Sequence, residues 1–332
     1  MTWGLLLRVL FFSAVGLALA ASLTAIVVTG PVVVRAAALD FSRIRVSRER
    51  LRADVERLCS EFTPRSYLDT ENLDRAAEWI AGELGAAGFE VSAQAYRVGA
   101  LGYRNVVALR RGSDPGKGVV VVGAHYDAYG QFPGADDNAS GVAVLLELAR
   151  THPAARPPRD HYLVAFSTEE PPLFGGDSMG SYIFAQSLLS RGRAVDRMVA
   201  LDMVGYFSDA PRSQSLPLRL LQPLYPDRGD FIAVVGDLRS GRSIGRIKRG
   251  LIATGSIPVH SFRAPAALAP VLWSDHLSFR RLGFPGVQVT DTAFMRYSRY
   301  HTAGDTPDQL DYERMARLVE ALHGVLWEAG DD

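Results

Sequence analysis

Residues 118–128 read GVVVVGAHYDA. Four consecutive valines make a short apolar run of β-branched residues with no polar alternation. Such a run suits a strand buried on both faces, as in sheets covered by helices on both sides. The next periodic segment, SGVAVLLELAR at 140–150, reads as a helix, and HYLVAFS at 161–167 as a second buried strand. Further downstream, RMVALDMVG (197–205), DFIAVVGD (230–237) and GVQVTD (286–291) read as strands. Upstream, 43–62 and 72–84 read as amphipathic helices, the second closing at Gly85 or Gly88. Strands are expected at 89–98 and 103–110, a helix at 179–191 and a closing helix at 308–327. Strands alternating with helices imply one α/β domain with a central, mixed but mostly parallel sheet flanked by helices. Two stretches rich in turn residues, 208–230 and 258–270, read as long loops.

Composition narrows the function. The 332 residues are 48% apolar and 22% charged, enough to bury a sizeable core. Net charge is zero, which argues against a nucleic-acid partner. Cys59 is the one cysteine, so an intramolecular disulfide and a thiolate-rich metal site are excluded.

Residues 9–34 carry no charge. A run of that length can span a bilayer, which takes about 20 apolar residues. Ala18-Leu19-Ala20 offers a small-residue cleavage site of the signal-peptide kind. The apolar run continues past it, which favours an uncleaved anchor. The expected division is therefore an anchor or signal segment at 1–36 and one domain at 37–332. Only Arg8 and the amino terminus precede the span, whereas Arg35, Arg43, Arg45, Arg48, Arg50 and Arg52 follow it. Taken literally, that asymmetry puts the domain in the cytoplasm.

Ligands of α/β folds bind outside the carboxyl ends of the strands. Four strands deliver histidine or carboxylate there: His125 and Asp127, with Asp136 and Asp137 in the next loop; Glu169 and Glu170; Asp202; and His301. His125 and Asp127 are two apart and share a side on an extended strand, a spacing that suits a histidine ligand and a carboxylate behind it. Asp136-Asp137-Asn138 precedes a helix, and capping explains one of these residues but not adjacent acids. Glu169 and Glu170 would face opposite ways in a regular strand. Both reach one site only if the strand breaks near Thr168, and Pro171 biases Glu170 away from helical geometry. Close carboxylates repel unless a cation or proton separates them. With Asp136, Glu170 and Asp202 as ligands beside neutral His125 and His301, two divalent metals and a bridging hydroxide bring the cluster to neutrality. Imidazole with carboxylate suits zinc, with manganese or cobalt also possible.

A competing site overlaps the glutamates. Gly176-Asp177-Ser178-Met179-Gly180 matches the G-x-S-x-G elbow of serine hydrolases. Asp275 with His301, or Asp202 with His276, would complete a triad. The elbow needs its serine directly on a strand-to-helix turn, yet the strand ends about ten residues earlier. The triad also leaves His125, Asp136, Glu169 and Glu170 unexplained. Gly175–Gly180 reads better as a turn into the next helix, with Ser178 as its cap.

AHYDA (124–128), PGADDNASG (133–141), STEEPP (167–172), LDMVGY (201–206) and YHTAGDTPD (300–308) follow the order seen in the M28 family of zinc peptidases. Over roughly 66–326 the chain resembles an aminopeptidase-type member. The resemblance implies a zinc aminopeptidase-like fold, peptide substrates and two zinc ions per chain. It implies that His125 and Asp202 bind one zinc, that Glu170 and His301 bind the other, and that Asp136 bridges them. It further implies a cis peptide bond to Asp137. Glu169 is the implied general base, acting on a two-zinc-bound hydroxide and then protonating the leaving amine. Asp127 and Asp137 stand behind the ligands, with Asp275 of WSDHLSF (273–279) as a further supporting carboxylate. Glutaminyl cyclases resemble the same family and work with one zinc, so a cyclase-like acyltransferase is the second expectation. A non-catalytic, membrane-anchored binding domain is the third. The family's extracytoplasmic character opposes the arginine asymmetry. An anchored domain on the periplasmic or outer side is expected, secreted if the leader is cleaved.

Overall fold

The computed structural model describes residues 13, 16, 19–33, 44–114, 116–216, 219–267 and 270–327. Most of the expected anchor, and its Arg35 flank, lies outside them. Residues 19–29 are helical, and among the described residues no helix is long and apolar enough to cross a membrane.

Among the described residues eight strands form one sheet: β1 (Glu90–Val98), β2 (Leu101–Arg110), β3 (Val119–His125), β4 (His161–Phe166), β5 (Val195–Leu201), β6 (Ile232–Asp237), β7 (Val259–Ala264) and β8 (Val287–Thr290). Their spatial order is β1-β2-β4-β3-β5-β8-β6-β7. The central strands β4, β3, β5 and β8 are parallel. β1 and β2 add antiparallel strands on one side, and β6 with β7 add a reversed pair on the other. The sheet is therefore mixed with a parallel centre, as expected from the alternation. Every residue of β3 is buried, which is why its valines show no polar alternation.

Beyond the N-terminal helix, the described α-helices are α1 (Arg48–Glu61), α2 (Thr70–Ala86), α3 (Gly141–Arg150), α4 (Gly180–Ser190), α5 (Gly241–Thr254), α6 (His276–Arg281) and α7 (Tyr312–Leu326). Apolar residues of α1, α2, α3, α5 and α7 pack one face of the sheet. Those of α4 and α6 pack the other, around Phe166, Phe184 and Phe279. Gly123 in β3 is required for this packing, because a Cβ there would lie 2.1 Å from the Phe166 ring.

Two expectations fail. The stretch 258–270 contains β7, an edge strand whose prolines lie outside its paired residues. Prolines read as loop markers when they only bracket an edge strand. Ser178 does not cap α4: the helix begins at Gly180, Met179 is its N-cap, and no side chain caps it.

Candidate metal centre

The sheet delivers its acids and imidazoles at the carboxyl ends of β3, β4 and β5. His125 closes β3, fully buried. Its Nδ1 lies 3.1 Å from the carbonyl oxygen of Asp127. Donation there leaves Nε2 free to face the site as a ligand. The Asp127 carboxylate in turn accepts the Glu170 amide at 3.0 Å. Asp127 thus ties the ends of β3 and β4 together and stands behind His125.

β4 ends at Phe166, and Thr168 adopts φ +61°. This is the break that the two glutamates required. The Thr168 hydroxyl holds the turn by bonding the carbonyl of Ser178 at 2.7 Å and Tyr96 Oη at 2.8 Å. Glu169 and Glu170 then both reach one cavity. Among the described residues Ser178 makes no hydrogen bond to a histidine, and Asp177 beside it pairs with Arg281 on the surface at 2.6 Å. The serine triad therefore has no geometry behind it.

The acidic loop departs from the expectation. Asp136 does not enter the cavity. Its carboxylate turns away to accept the Gly205 amide at 2.8 Å, beside the buried carboxyl of Asp291. Burial and Asp291 push its pKa well up, which fits a proton shared between the two. Asp137 takes the place assigned to Asp136. It lies 3.4 Å from His125 Nε2 and 3.0 Å from His301 Nε2. The cis peptide likewise lies one residue later, between Asp137 and Asn138. The loop is held from three directions. Asp305 accepts the amides of Asp136 and Asp137 at 2.8 and 3.1 Å, and Asn138 Nδ2 donates to the Leu201 carbonyl at 2.8 Å. Asn138 Oδ1 accepts the amides of Gly141 and Met203. Gly134, at φ +60°, permits the close return, since a Cβ would lie 2.4 Å from the Asp137 carbonyl.

Asp202 follows β5, with one oxygen 3.6 Å from His125 Nε2 and the other 3.3 Å from Gln288 Nε2. His301 arrives from a loop, at φ +56°. Its ring is stacked between Tyr129 and Tyr300 at centroid separations of 4.1 and 3.8 Å. Asp275 is fully buried, with neither carboxylate oxygen hydrogen-bonded among the described residues, and burial pushes its pKa up to about 7. It lies outside the cavity lining. Tyr129, Asn138, Asp291 and Asp305 escaped the sequence reading, because nothing in their spacing marks a residue that acts only after the loops fold together.

Donor atoms fall into two overlapping groups, His125/Glu169/Asp202 and His125/Asp137/Glu170, each with its atoms within 4.8 Å of one another. Of these, His125 Nε2 and Glu170 Oε1 are buried without a hydrogen-bond partner among the described residues, as is the neighbouring His301 Nε2. Buried polar atoms are normally satisfied, so this set fits a cation. The protonation pattern agrees. Burial, reinforced by Asp137, raises Glu170 to about 8. Burial also raises Glu169 well above its usual range, with Asp202 and Glu170 adding to it. Burial pulls His301 down, but Asp137 and Glu170 outweigh it and bring it up to about 9. Protons thus balance the cluster where no cation does.

The cluster forms one end of a cavity of about 390 Å³. The rest of the lining is mostly apolar, with Phe174, Met203, Phe231, Val235, Phe262 and Trp273 prominent beside Ser261, Gln288, Thr290 and Thr292.

The profile of peptidase family M28 matches residues 105–227 and 248–326. The chain belongs to peptidase family M28. That makes it a metallopeptidase of the aminopeptidase-type family. Among curated relatives, the Escherichia coli protein YfbL is 39% identical over 88% of this chain and 91% of its own length. Solved structures share this fold, two of them as follows. BSAP, a zinc aminopeptidase from Bacillus subtilis, superposes with a TM-score of 0.68 at 15% identity, covering 86% of this chain and 95% of that one. A Fimbriiglobus ruber glutaminyl cyclase superposes at 0.66 with 22% identity, covering 88% and 98%. The fold alone therefore does not separate peptide hydrolysis from cyclisation.

Proposed function

We propose that this M28 protein removes apolar residues from the amino ends of peptides, using two zinc ions. The observation that carries this reading is the cavity itself. Its lining joins the carboxylate cluster to a large apolar recess and contains no lysine or arginine among the described residues. An exopeptidase acting at the carboxyl end needs a cation for the terminal carboxylate. A carboxylate-lined site instead suits a terminal ammonium. The recess suits one large apolar side chain, whose burial contributes about 1.5–3 kcal/mol.

His125 with Asp202 would hold one zinc and His301 with Glu170 the other, with Asp137 between them. Zinc bound there supplies Lewis-acid polarisation of a carbonyl and lowers the pKa of a water beside it. Glu169 is the general base in this reading. Burial among carboxylates raises its affinity for a proton, so it holds the proton it accepts and delivers it to the leaving amine. Asp127 and the Tyr129–Tyr300 stack orient the imidazoles.

The glutaminyl cyclase relative in fold favours a second reading, acyl transfer to the substrate's own amine. A panel of aminoacyl anilides, N-acetylated peptides and a peptide with N-terminal glutamine tests both, together with zinc stoichiometry. Release of leucine and phenylalanine from unblocked substrates only, with two zinc ions per chain, is the expected result. Loss of ammonia from the glutamine peptide without hydrolysis would replace the first reading by the second.

We further propose that residues 1–36 anchor the domain to a membrane, with 37–332 on its outer side. The uncharged run at 9–34 supports this. Protease protection of intact cells tests the orientation.

A further inference from the structure

Residues 27–30 end the N-terminal helix against the domain. Its last carbonyls are held by three side chains. Lys248 Nζ donates to Thr29 and Gly30 at 2.9 and 3.3 Å. Ser261 Oγ donates to Thr29 at 2.6 Å, and Arg263 Nε to Val27 at 2.7 Å. Lys248 is itself buried, in α5. Val28 is buried at this contact, while Leu19, Leu23, Ile26 and Val33 are 66, 63, 54 and 87% exposed. An apolar segment therefore projects from a built socket.

The socket lies on a helix with three stripes. Ile244, Ile247 and Leu251 face the core. Gly245, where a Cβ would meet Val32 at 4.0 Å, and Lys248 face the segment. Arg242, Arg246 and Arg249 recur at helical spacing one position further round. Arg239 precedes them beside Leu238, which is 46% exposed. Arg246 pairs with Asp196 at 3.2 Å. Arg239, Arg242 and Arg249 are exposed and form no ion pair among the described residues. Residues 238–274 contain six arginines and lysines and no acid, in a chain whose net charge is zero. Free arginines flanking an exposed apolar segment match an anionic bilayer surface, with headgroups for the charges and acyl chains for the helix.

We propose that α5 is the membrane-facing element of the domain: it seats the apolar N-terminal segment, and its free arginines bind anionic lipid headgroups. The inference rests on the reading of that segment as an anchor and adds a second, electrostatic contact that orients the domain.

The test uses the full chain with vesicles of phosphatidylcholine, with and without phosphatidylglycerol. Flotation reads association, and hydrogen exchange over 238–250 reads the α5 contact. Exchange should slow about tenfold only where phosphatidylglycerol is present. The slowing should vanish near 1 M salt, where screening acts within about 3 Å. It should also be absent in Arg239→Glu/Arg242→Glu/Arg249→Glu, whose unchanged turnover of a soluble peptide would report an intact fold. The milder triple change to glutamine should lose most of the effect. Association with both vesicle types but equal exchange would overturn the α5 contact and leave the anchor standing. Salt-sensitive slowing without binding to pure phosphatidylcholine would support the contact and sink the anchor. No association with either would overturn both.

Discussion

Asp137 places one carboxylate oxygen 3.4 Å from His125 Nε2 and the other 3.0 Å from His301 Nε2. Its neighbour Asp136 points the opposite way, to the Gly205 amide. Asp137→Asn should therefore lose most bound metal and at least a thousandfold in turnover. Asp136→Asn, which keeps the shape of a protonated acid, should retain its metal. Metal analysis of the two purified variants decides the assignment; the reverse order would return the bridging role to Asp136.

Glu169→Gln should keep its metal and lose roughly 10²–10⁴ in kcat, the usual contribution of a positioned base. Ser178→Ala should hydrolyse at the wild-type rate. A collapse in Ser178→Ala would revive the serine elbow, and near-normal turnover in Glu169→Gln would remove the base.

Metal loading should release protons. Without metal, Glu170 at about 8 and His301 at about 9 both carry protons at neutral pH, and a ligand must lose its proton to bind. Affinity should therefore rise with pH up to about 9. Calorimetry of zinc binding in buffers of different ionisation enthalpy counts the protons; a count of zero at pH 7 contradicts the picture.

Tyr129 is the outer slab on His301. Tyr129→Phe should preserve the stack. Tyr129→Ala should free the ring and weaken metal binding on the order of 10–100-fold, as when other groups supporting a ligand are lost. Competition with a chelator measures both, and equal affinities would show that the stack does not position the ligand.

Acid should destabilise the far end of the sheet. Burial lowers His152 to about 4 and His161 to about 3, below the unfolded value near 6.5. Their folded pKa is depressed, so the stability they contribute is fully present above about pH 6.5. It is lost as pH falls through that value toward the folded ones. His161→Phe should lose up to about 2 kcal/mol less than wild type between pH 7 and pH 5. Urea unfolding of the metal-free proteins at the two pH values checks this.

Much of the fold was legible because burial writes itself into composition. β3, buried on both faces, shows as an unbroken valine run, and its parallel neighbours show the same way. β7 was missed because an edge strand carries mixed residues between prolines, which is also how a loop reads. Glu169 and Glu170 were legible as a pair with a condition attached, a break near Thr168, and φ +61° there meets it. The choice between Asp136 and Asp137 was not legible. Adjacent identical residues have the same chemistry, and the backbone turn alone decides which one faces the cavity.

The sequence by itself determined the sheet's parallel centre, the family and which loops carry acids and imidazoles, since these follow from periodicity and residue type. Tertiary structure decided which carboxylate sits between the histidines, which tyrosine stacks on His301, and that α5 receives the N-terminal segment. Each of these depends on contacts between residues far apart in the chain, where direction is set by packing and by amides such as those of Gly205 and Glu170, not by local pattern.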